Sequence, residues 1–300
     1  MTELLTKAMV QEASSRLHGM IHTTPLIYSS FFSHLAEANI YLKLENMQKT
    51  GSFKIRGAYN KIASLTEEQK KHGVIAASAG NHAQGVAYAA TKADIPCTIV
   101  MPMTAPLTKI VATRGYGAKV ILWGEGYDEA YQQALAIQEK SGATFVHGFD
   151  DLEIMAGQGT VAWEMMEQMP CLEAVLIPAG GGGLLAGVAY ALKSRNPAIK
   201  VIGVQSREAP GLYQSFKQET LTPKPTGKTI ADGICVKVPG QLTTEIIKAY
   251  VDDMILVQDE EIAMTILALL ERSKIVVEGA GASALAAAVR KLPGLKGRCV

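Results

Sequence analysis

One segment of this sequence reads Lys49-Thr50-Gly51-Ser52-Phe53-Lys54-Ile55-Arg56-Gly57. Residues 39–45 before it alternate between apolar and polar side chains as a strand does, and the pattern from Gly51 to about Leu65 is helical. Lys54 is therefore predicted in the first turn of a helix. Because the positive end of a helix dipole disfavours an ammonium group, a neutral or covalently bonded lysine suits this position better than a charged one. A plain surface lysine is the alternative.

Much of the remaining sequence alternates between short apolar segments and helical segments. Strands are predicted at 74–77, 97–101, 119–123, 144–146, 174–177, 200–204 and 254–257, and helices at 2–17, 31–38, 81–92, 107–113, 128–140, 152–168, 184–193, 243–250, 260–273 and 280–291. Strands joined by helices of this length indicate an α/β fold with parallel sheets, whose ligands bind at the carboxyl ends of the strands. The less regular segment 208–239 is predicted to form loops.

The charge balance and the cysteines limit the classes of function. With 29 basic and 28 acidic side chains and a net charge of +1, the sequence gives no electrostatic reason to expect nucleic acid or a membrane as partner. The cysteines, Cys97, Cys171, Cys235 and Cys299, match neither a zinc spacing nor a secreted disulfide framework, and no long apolar segment is present. We expect a cytoplasmic protein that acts on a small molecule, without a metal site.

Two turns that follow predicted strands have the composition of anion sites. Ser78-Ala79-Gly80-Asn81-His82 follows strand 74–77, and its small residues leave backbone N–H groups able to bind a carboxylate. A plain turn with a structural histidine is equally compatible with this segment. The second turn, Gly180-Gly181-Gly182-Gly183-Leu184, follows strand 174–177, and four consecutive glycines are entropically costly unless many N–H groups converge on an anion such as phosphate. Close packing around a tight turn is its alternative explanation.

A dinucleotide site is the rival interpretation of the second turn. Gly181, Gly183 and Ala186 fit the Gly-x-Gly-x-x-Gly/Ala fingerprint of NAD enzymes. That fingerprint requires an acidic residue about twenty positions on, at the end of the next strand, to bind the ribose. Gln205 occupies this position. The NAD interpretation is therefore rejected, and so is a P-loop at Gly227-Lys228-Thr229, which lacks the preceding strand and first glycine.

The Lys54 segment, the Ser78 turn and the tetraglycine turn, in this order, resemble the fold-type II enzymes that use pyridoxal 5'-phosphate (the tryptophan synthase β-like fold). Within them the threonine/serine dehydratases and serine racemases are most similar. The resemblance covers almost the whole chain. It implies two three-layer α/β/α domains with mostly parallel sheets and a cleft between them. The large domain would comprise residues 1–65 and 145–300, and the small inserted domain residues 66–144.

The resemblance also implies a role for each site residue. Lys54 would form the Schiff base with the cofactor, and Phe53 would pack against the cofactor ring. Asn81 would reach the phenolic oxygen, while Glu278 and Gly233, in Ala231-Asp232-Gly233, would lie beside the ring. The cofactor phosphate would bind Gly180, Gly181, Gly182, Gly183 and Leu184, and the substrate carboxylate would bind Ser78, Ala79, Gly80, Asn81 and His82.

The activity implied is that of a catabolic, single-domain threonine/serine dehydratase. Such an enzyme converts L-threonine to 2-oxobutanoate, or L-serine to pyruvate, with release of ammonia. Serine racemases supply a second-face proton donor from a serine where this sequence has Ala79, so racemisation is not expected. Other open alternatives are a dehydratase of bulkier β-hydroxy amino acids and a non-catalytic ligand-binding protein.

The remaining expectations concern ions, partners and the end of the chain. Gln205 and Gly211 stand where the divalent-ion acids of serine racemases would align, so no such site is expected. The resemblance implies a homodimer or homotetramer and allows a nucleotide effector; isoleucine inhibition, typical of enzymes of isoleucine biosynthesis with a regulatory domain, is not expected. The family continues the strand at 297–300 into a Ser-Gly-Gly-Asn segment whose serine meets the pyridine nitrogen, so we expect the natural protein to be longer.

Overall fold

The computed structural model describes residues 4–218, 228–290 and 292–300. Its strands are β1 Leu26–Tyr28, β2 Tyr41–Lys43, β3 Val74–Ala77, β4 Cys97–Met101, β5 Lys119–Leu122, β6 Thr144–Phe145, β7 Ala174–Pro178, β8 Lys200–Ser206 and β9 Asp253–Val257. Its α-helices are α1 Lys7–Leu17, α2 Ser30–Ala36, α3 Lys54–Ala63, α4 Glu67–His72, α5 Asn81–Lys92, α6 Leu107–Gly115, α7 Tyr127–Ser141, α8 Leu152–Gln168, α9 Gly183–Lys193, α10 Gly211–Gln218, α11 Gln241–Tyr250, α12 Asp259–Ala268 and α13 Gly279–Ala288.

The first parallel sheet has four strands in the order β5-β4-β3-β6. Its central strands β3 and β4 are short and contain several β-branched residues, as strands buried on both faces do. Helices α3 and α5 cover one face through Ile55, Val86 and their neighbours. Helix α7 covers the other face, where Ala130 and Ala134 pack against Ile75 and Val100. This sheet is therefore the middle of three layers.

The second parallel sheet has three strands in the order β7-β8-β9. Helices α8 and α9 pack on one face and on each other, with Val175 and Val201 in the shared core. Helices α12 and α13 cover the opposite face over Val204 and Val257. Both sheets thus have helices on both faces, as the predicted α/β fold requires. The predicted domain boundaries stay a prediction, and β6 straddles the one at 144/145.

The last residues of the chain lie between the antiparallel pair β1-β2 and strand β7. Cys299 forms a parallel bridge with Asn39, and its carbonyl oxygen accepts hydrogen bonds from the N–H groups of Glu173 and Ala174. Tyr41 N–H donates to the Val300 carbonyl at 2.8 Å. The strand predicted at 297–300 is therefore limited, in the structure, to this bridge.

Several predicted element bounds were wrong at their ends. The first helix begins at Lys7, because the Thr6 hydroxyl accepts a hydrogen bond from Met9 N–H and caps it; residues 1–3 of that prediction lie outside the described residues. Segment 208–239 contains α10 rather than loops alone, while its residues 219–227 and the predicted helix end at Lys291 are also outside them. Within the described residues, no helix is long and apolar enough to cross a lipid bilayer.

Candidate active site

A cavity of about 950 Å³ lies at the carboxyl ends of strands β3 and β7. It is the position at which open α/β sheets bind ligands. Its lining includes every site residue that the sequence predicted: Phe53, Lys54, Ser78, Ala79, Gly80, Asn81, His82, Gly180, Gly181, Gly182, Gly183, Leu184, Gly233 and Glu278. Residues separated by more than 200 positions in the chain are thus brought together around one space.

Lys54 is the first residue of α3, as the sequence predicted, and its amine is buried in the cavity wall. Nζ donates a 2.7 Å hydrogen bond to the carbonyl oxygen of Gly148 and lies 5.5 Å from the centre of the Phe53 ring. Burial lowers the pKa of Lys54 to about 8, although the nearby carboxylate of Glu278 opposes this shift. A neutral, nucleophilic amine is therefore accessible slightly above neutral pH.

The backbone around Lys54 is fixed by close packing with α5. A side chain at Gly85 of α5 would place its Cβ 3.2 Å from the backbone of Lys54 and Ile55, which is tighter than ordinary contact, so glycine favours this close approach of the two helices. Immediately upstream, Thr50 has a φ of 64°, a strained value for a β-branched residue. The turn that delivers Phe53 and Lys54 to the cavity is thus held by its surroundings.

A buried charge network, which no sequence pattern predicted, lies behind Lys54 on the same helix. The Arg56 guanidinium is fully buried and forms paired hydrogen bonds with the carboxylates of Glu45 and Glu164 at 2.6–2.9 Å. Burial opposes this charge, but the two carboxylates raise the pKa of Arg56 above its usual value. Lys43 also donates to Glu164, at 2.6 Å. The network joins the end of β2, α3 and α8.

The turn after β3 presents backbone N–H groups to the cavity. The Ser78 hydroxyl accepts a hydrogen bond from Gly80 N–H at 3.2 Å, which shapes the turn before α5 begins at Asn81. Within the described chain, the N–H groups of Ala79, Asn81 and His82 donate no hydrogen bond. Three open donors at the start of a twelve-residue helix suit a carboxylate.

The His82 side chain forms a structural hydrogen bond with the backbone. Its Nε2 lies 2.9 Å from the Val146 carbonyl, which only accepts, so Nε2 carries the proton. Burial, reinforced by the charge of Lys54, lowers the pKa of His82 to about 3, and the ring is neutral. The His82 side chain is therefore a structural histidine, which was one of the two interpretations of this turn. Any contact of His82 with the substrate would come from its backbone N–H.

Residues 146–150 complete the wall beside Lys54. His147 Nδ1 accepts hydrogen bonds from Phe149 N–H at 3.2 Å and Asp150 N–H at 2.8 Å, and Gly148 provides the carbonyl partner of Lys54. No sequence pattern indicated a role for this segment. Its position between strand β6 and helix α8 could have predicted it, because Ser78 and Gly180 lie in strand-to-helix turns of the same kind.

The tetraglycine turn is both closely packed and rich in open donors. A Cβ on Gly181 would come within 2.4 Å of the Phe149 ring, and Gly182 has a φ of 99°. The Thr243 hydroxyl donates a 2.8 Å hydrogen bond to the Gly181 carbonyl and so fixes the turn. In the described part of the chain, no hydrogen bond is donated by the N–H groups of Gly180, Gly181, Gly182, Gly183 or Leu184. Packing thus explains the glycines, and the open N–H groups provide the anion site.

Glu278 and Asn81 meet in the wall of the cavity. Asn81 Nδ2 donates to Glu278 Oε1 at 2.7 Å, and burial, with the nearby charge of Asp232, raises the pKa of Glu278. A Cβ on Gly233 would lie 3.4 Å from the same carboxylate oxygen. The residues predicted to surround a cofactor ring are therefore neighbours in space.

These features fit pyridoxal 5'-phosphate. A buried amine of lowered pKa, an aromatic ring beside it and a helix start with five open N–H groups match its aldehyde, ring and phosphate. The predicted serine partner of the pyridine nitrogen would follow Val300, outside the described residues, and stays a prediction.

Comparison with known proteins gives the same identification. The family described as pyridoxal-phosphate dependent enzyme matches residues 17–300. L-threonine ammonia-lyase of Thermotoga maritima is 55% identical over 300 residues, which cover 99% of this chain and 74% of that protein. Catabolic L-threonine dehydratase TdcB of Staphylococcus aureus is 51% identical, with 93% of this chain and 81% of that protein covered. The structure of serine racemase from Dictyostelium discoideum has a TM-score of 0.93 at 38% identity, with 99% and 96% covered.

Proposed function

This chain belongs to the family of pyridoxal-phosphate dependent enzymes, and we propose that it is a fold-type II ammonia-lyase for L-threonine and L-serine. The reaction breaks the β carbon–oxygen bond, releases water, and then yields ammonia with 2-oxobutanoate or pyruvate. Relatives at 55% and 51% identity that act on L-threonine support this substrate class. The observation that carries the proposal is the buried Lys54 amine, located in one cavity with two separate sets of open backbone N–H groups.

The cofactor is held by this chain's own groups. Lys54 would bond it covalently, the N–H groups of Gly180, Gly181, Gly182, Gly183 and Leu184 would bind its phosphate, and Phe53 would contact its ring. Asn81, oriented by Glu278, would bind the phenolic oxygen. Glu278 and Gly233 would flank the ring, and a Cβ at 233 would come within 3.0 Å of the Ala280 side chain. When bound, pyridoxal phosphate supplies an electron sink that stabilises negative charge at the substrate α carbon.

The remaining catalytic tasks belong to the protein. The N–H groups of Ala79, Asn81 and His82 bind and orient the substrate carboxylate. Lys54 Nζ would remove the α-proton of the substrate; burial keeps this amine neutral enough to act as a base near pH 8. Gly148 O, 2.7 Å from Nζ, holds the ammonium that results.

Racemisation is the second candidate, because the serine racemase of Dictyostelium discoideum has the same fold over 99% of this chain. A racemase must deliver a proton to the face opposite Lys54. Ala79, which lines the cavity at the position where racemases place a serine, has no proton to give. We therefore favour elimination over racemisation.

We further propose that the chain assembles as a homo-oligomer. Met264, Leu267 and Leu270 recur every three residues along α12 and its continuation, and each is about half or more exposed. Arg272, in the same continuation of α12, lies 5.1 Å from the centre of the exposed Phe31 ring. An apolar surface of this kind is typical of a subunit interface. A nucleotide effector stays a prediction without a residue assigned to it.

A single incubation distinguishes these activities. Purified holoenzyme is given L-threonine, L-serine or a bulkier β-hydroxy amino acid, and the oxo acid and D-amino acid are quantified, the latter by chiral chromatography. We expect oxo acid from the first two substrates and negligible D-serine or D-threonine. Substantial D-isomer would show that another residue reaches the second face, and absence of any product from a yellow holoenzyme would favour a non-catalytic binding protein.

A further inference from the structure

Two cysteine side chains that play no part in the proposed reaction lie in contact. The Sγ atoms of Cys171 and Cys299 are 3.7 Å apart, although 128 residues separate them in the chain. Both are free thiols; Cys171 is exposed, and Cys299 is partly buried. An exposed thiol beside a second thiol is the arrangement from which an intramolecular disulfide forms.

The backbone holds these two residues side by side. Glu173, two residues after Cys171, donates its N–H to the Cys299 carbonyl at 3.0 Å, and the Glu173 carboxylate accepts from Cys299 N–H at 2.9 Å. Cys171 itself lies in the turn between α8 and β7. A disulfide needs its sulfur atoms about 2.05 Å apart, so rotation of the Cys171 side chain in this turn must bring its sulfur closer while Cys299 stays fixed.

We propose that Cys171 and Cys299 are a modification site, at which a low-molecular-weight disulfide oxidises the pair to an intramolecular disulfide. The exposed Cys171 thiolate attacks one sulfur of the reagent and releases the other as a thiol, which leaves a mixed disulfide on Cys171. The Cys299 thiolate then attacks the Cys171 sulfur and displaces the second thiol. Two protein thiols are thereby oxidised by two electrons, the reagent is reduced to two thiols, and these carry the two protons.

The cross-link would fasten residues 299–300 to the sheet that forms the cavity. Cys299 is bridged to Asn39, and the adjacent Val300 accepts from Tyr41 N–H and lines the cavity. A bond from Cys299 to the turn before β7 therefore ties strand β2, residues 299–300 and β7 together. Because the bond closes a long loop, it restricts the unfolded chain and raises stability, unless strain offsets the gain.

The test treats the holoenzyme with oxidised glutathione and then digests it without reduction. We expect the intact mass to fall by two hydrogens, a linked peptide pair containing Cys171 and Cys299, and a Tm higher by about 5 °C that dithiothreitol reverses. Cys171→Ser and Cys299→Ser, as matched controls, should lose the linked peptide and the Tm increase.

Three results would overturn the proposal. One is a stable glutathione adduct on Cys171 without closure, which would mean that the fixed Cys299 cannot reach it. Another is a cross-link between two chains, readily seen by non-reducing electrophoresis. The third is a Tm increase that persists in Cys171→Ser, since the stabilisation would then come from another modification.

Discussion

The side chains of Asn81 and Glu278 form a 2.7 Å hydrogen bond although 197 residues separate them. Asn81 opens α5, which packs on the first sheet, and Glu278 directly precedes α13, which packs on the second. The bond therefore connects the two layered units across the cavity. It also places a carboxylate close enough to Lys54 to affect its protonation.

Replacement of Glu278 by Gln is expected to lower the pKa of Lys54 further. The Glu278 charge opposes the lowering that burial causes, so its removal leaves burial unopposed. The neutral amine is the form that reacts with the cofactor aldehyde, so the rate of holoenzyme formation should rise with pH. We expect the midpoint of this rise near pH 8 in wild type and at a lower pH in the variant. Absorbance at a series of pH values measures this, and an unchanged midpoint would show that Glu278 does not act on Lys54.

Loss of the Thr243 hydroxyl is expected to weaken cofactor binding. This hydroxyl donates to the Gly181 carbonyl at 2.8 Å, and one such bond contributes about 1 kcal/mol, or roughly fivefold to tenfold in Kd. Thr243→Val should therefore raise the Kd for pyridoxal phosphate in a fluorescence titration. Thr244→Val is the matched control, because its buried hydroxyl donates to Gly240 instead. Equal effects of the two substitutions would contradict a specific role in the glycine turn.

Acid should destabilise the protein through His82. Its pKa is about 3 when folded and 6.5 when unfolded, so the unfolded chain binds the proton more tightly. The contribution of neutral His82 to the free energy of unfolding is fully present above pH 6.5. It decreases by up to about 1.4 kcal/mol per pH unit as pH falls toward 3. His82→Gln should make unfolding free energy, from denaturant titrations at pH 7 and 5, less dependent on pH. His34→Gln, on the exposed surface of α2, should not.

Arg56 should contribute more to the free energy of unfolding than Lys61, a second cation of helix α3. Arg56→Met leaves Glu45 and Glu164 without their buried partner, which typically costs about 3–5 kcal/mol. Lys61→Met removes a single ion pair, with Asp151, from a lysine that is less buried than Arg56, and should cost less. Denaturant unfolding measures both. If the two variants were equally stable, the network behind Lys54 would be dispensable for the fold.

Sequence patterns predicted those features of the fold that depend on residues close together in the chain. The first turn of α3 and the turns after β3 and β7 depend on neighbouring residues, and each was found where expected. The partners of Arg56 could not be predicted in this way, because Glu164 is 108 residues away and nothing in the helix indicates it. The wall at 146–150 was missed because it has a single glycine and its role depends on contact with Lys54.

Formation of 2-oxobutanoate from L-threonine by Lys54→Ala, supplied with pyridoxal phosphate, tests the central claim most directly. Lys54 provides both the covalent attachment and the base, so we predict a loss of turnover of at least about a thousandfold relative to wild type. Cofactor binding through the glycine turn should persist in the variant and shows that it is folded. Deamination at the wild-type rate would contradict the assignment of Lys54 and, with it, the proposed mechanism.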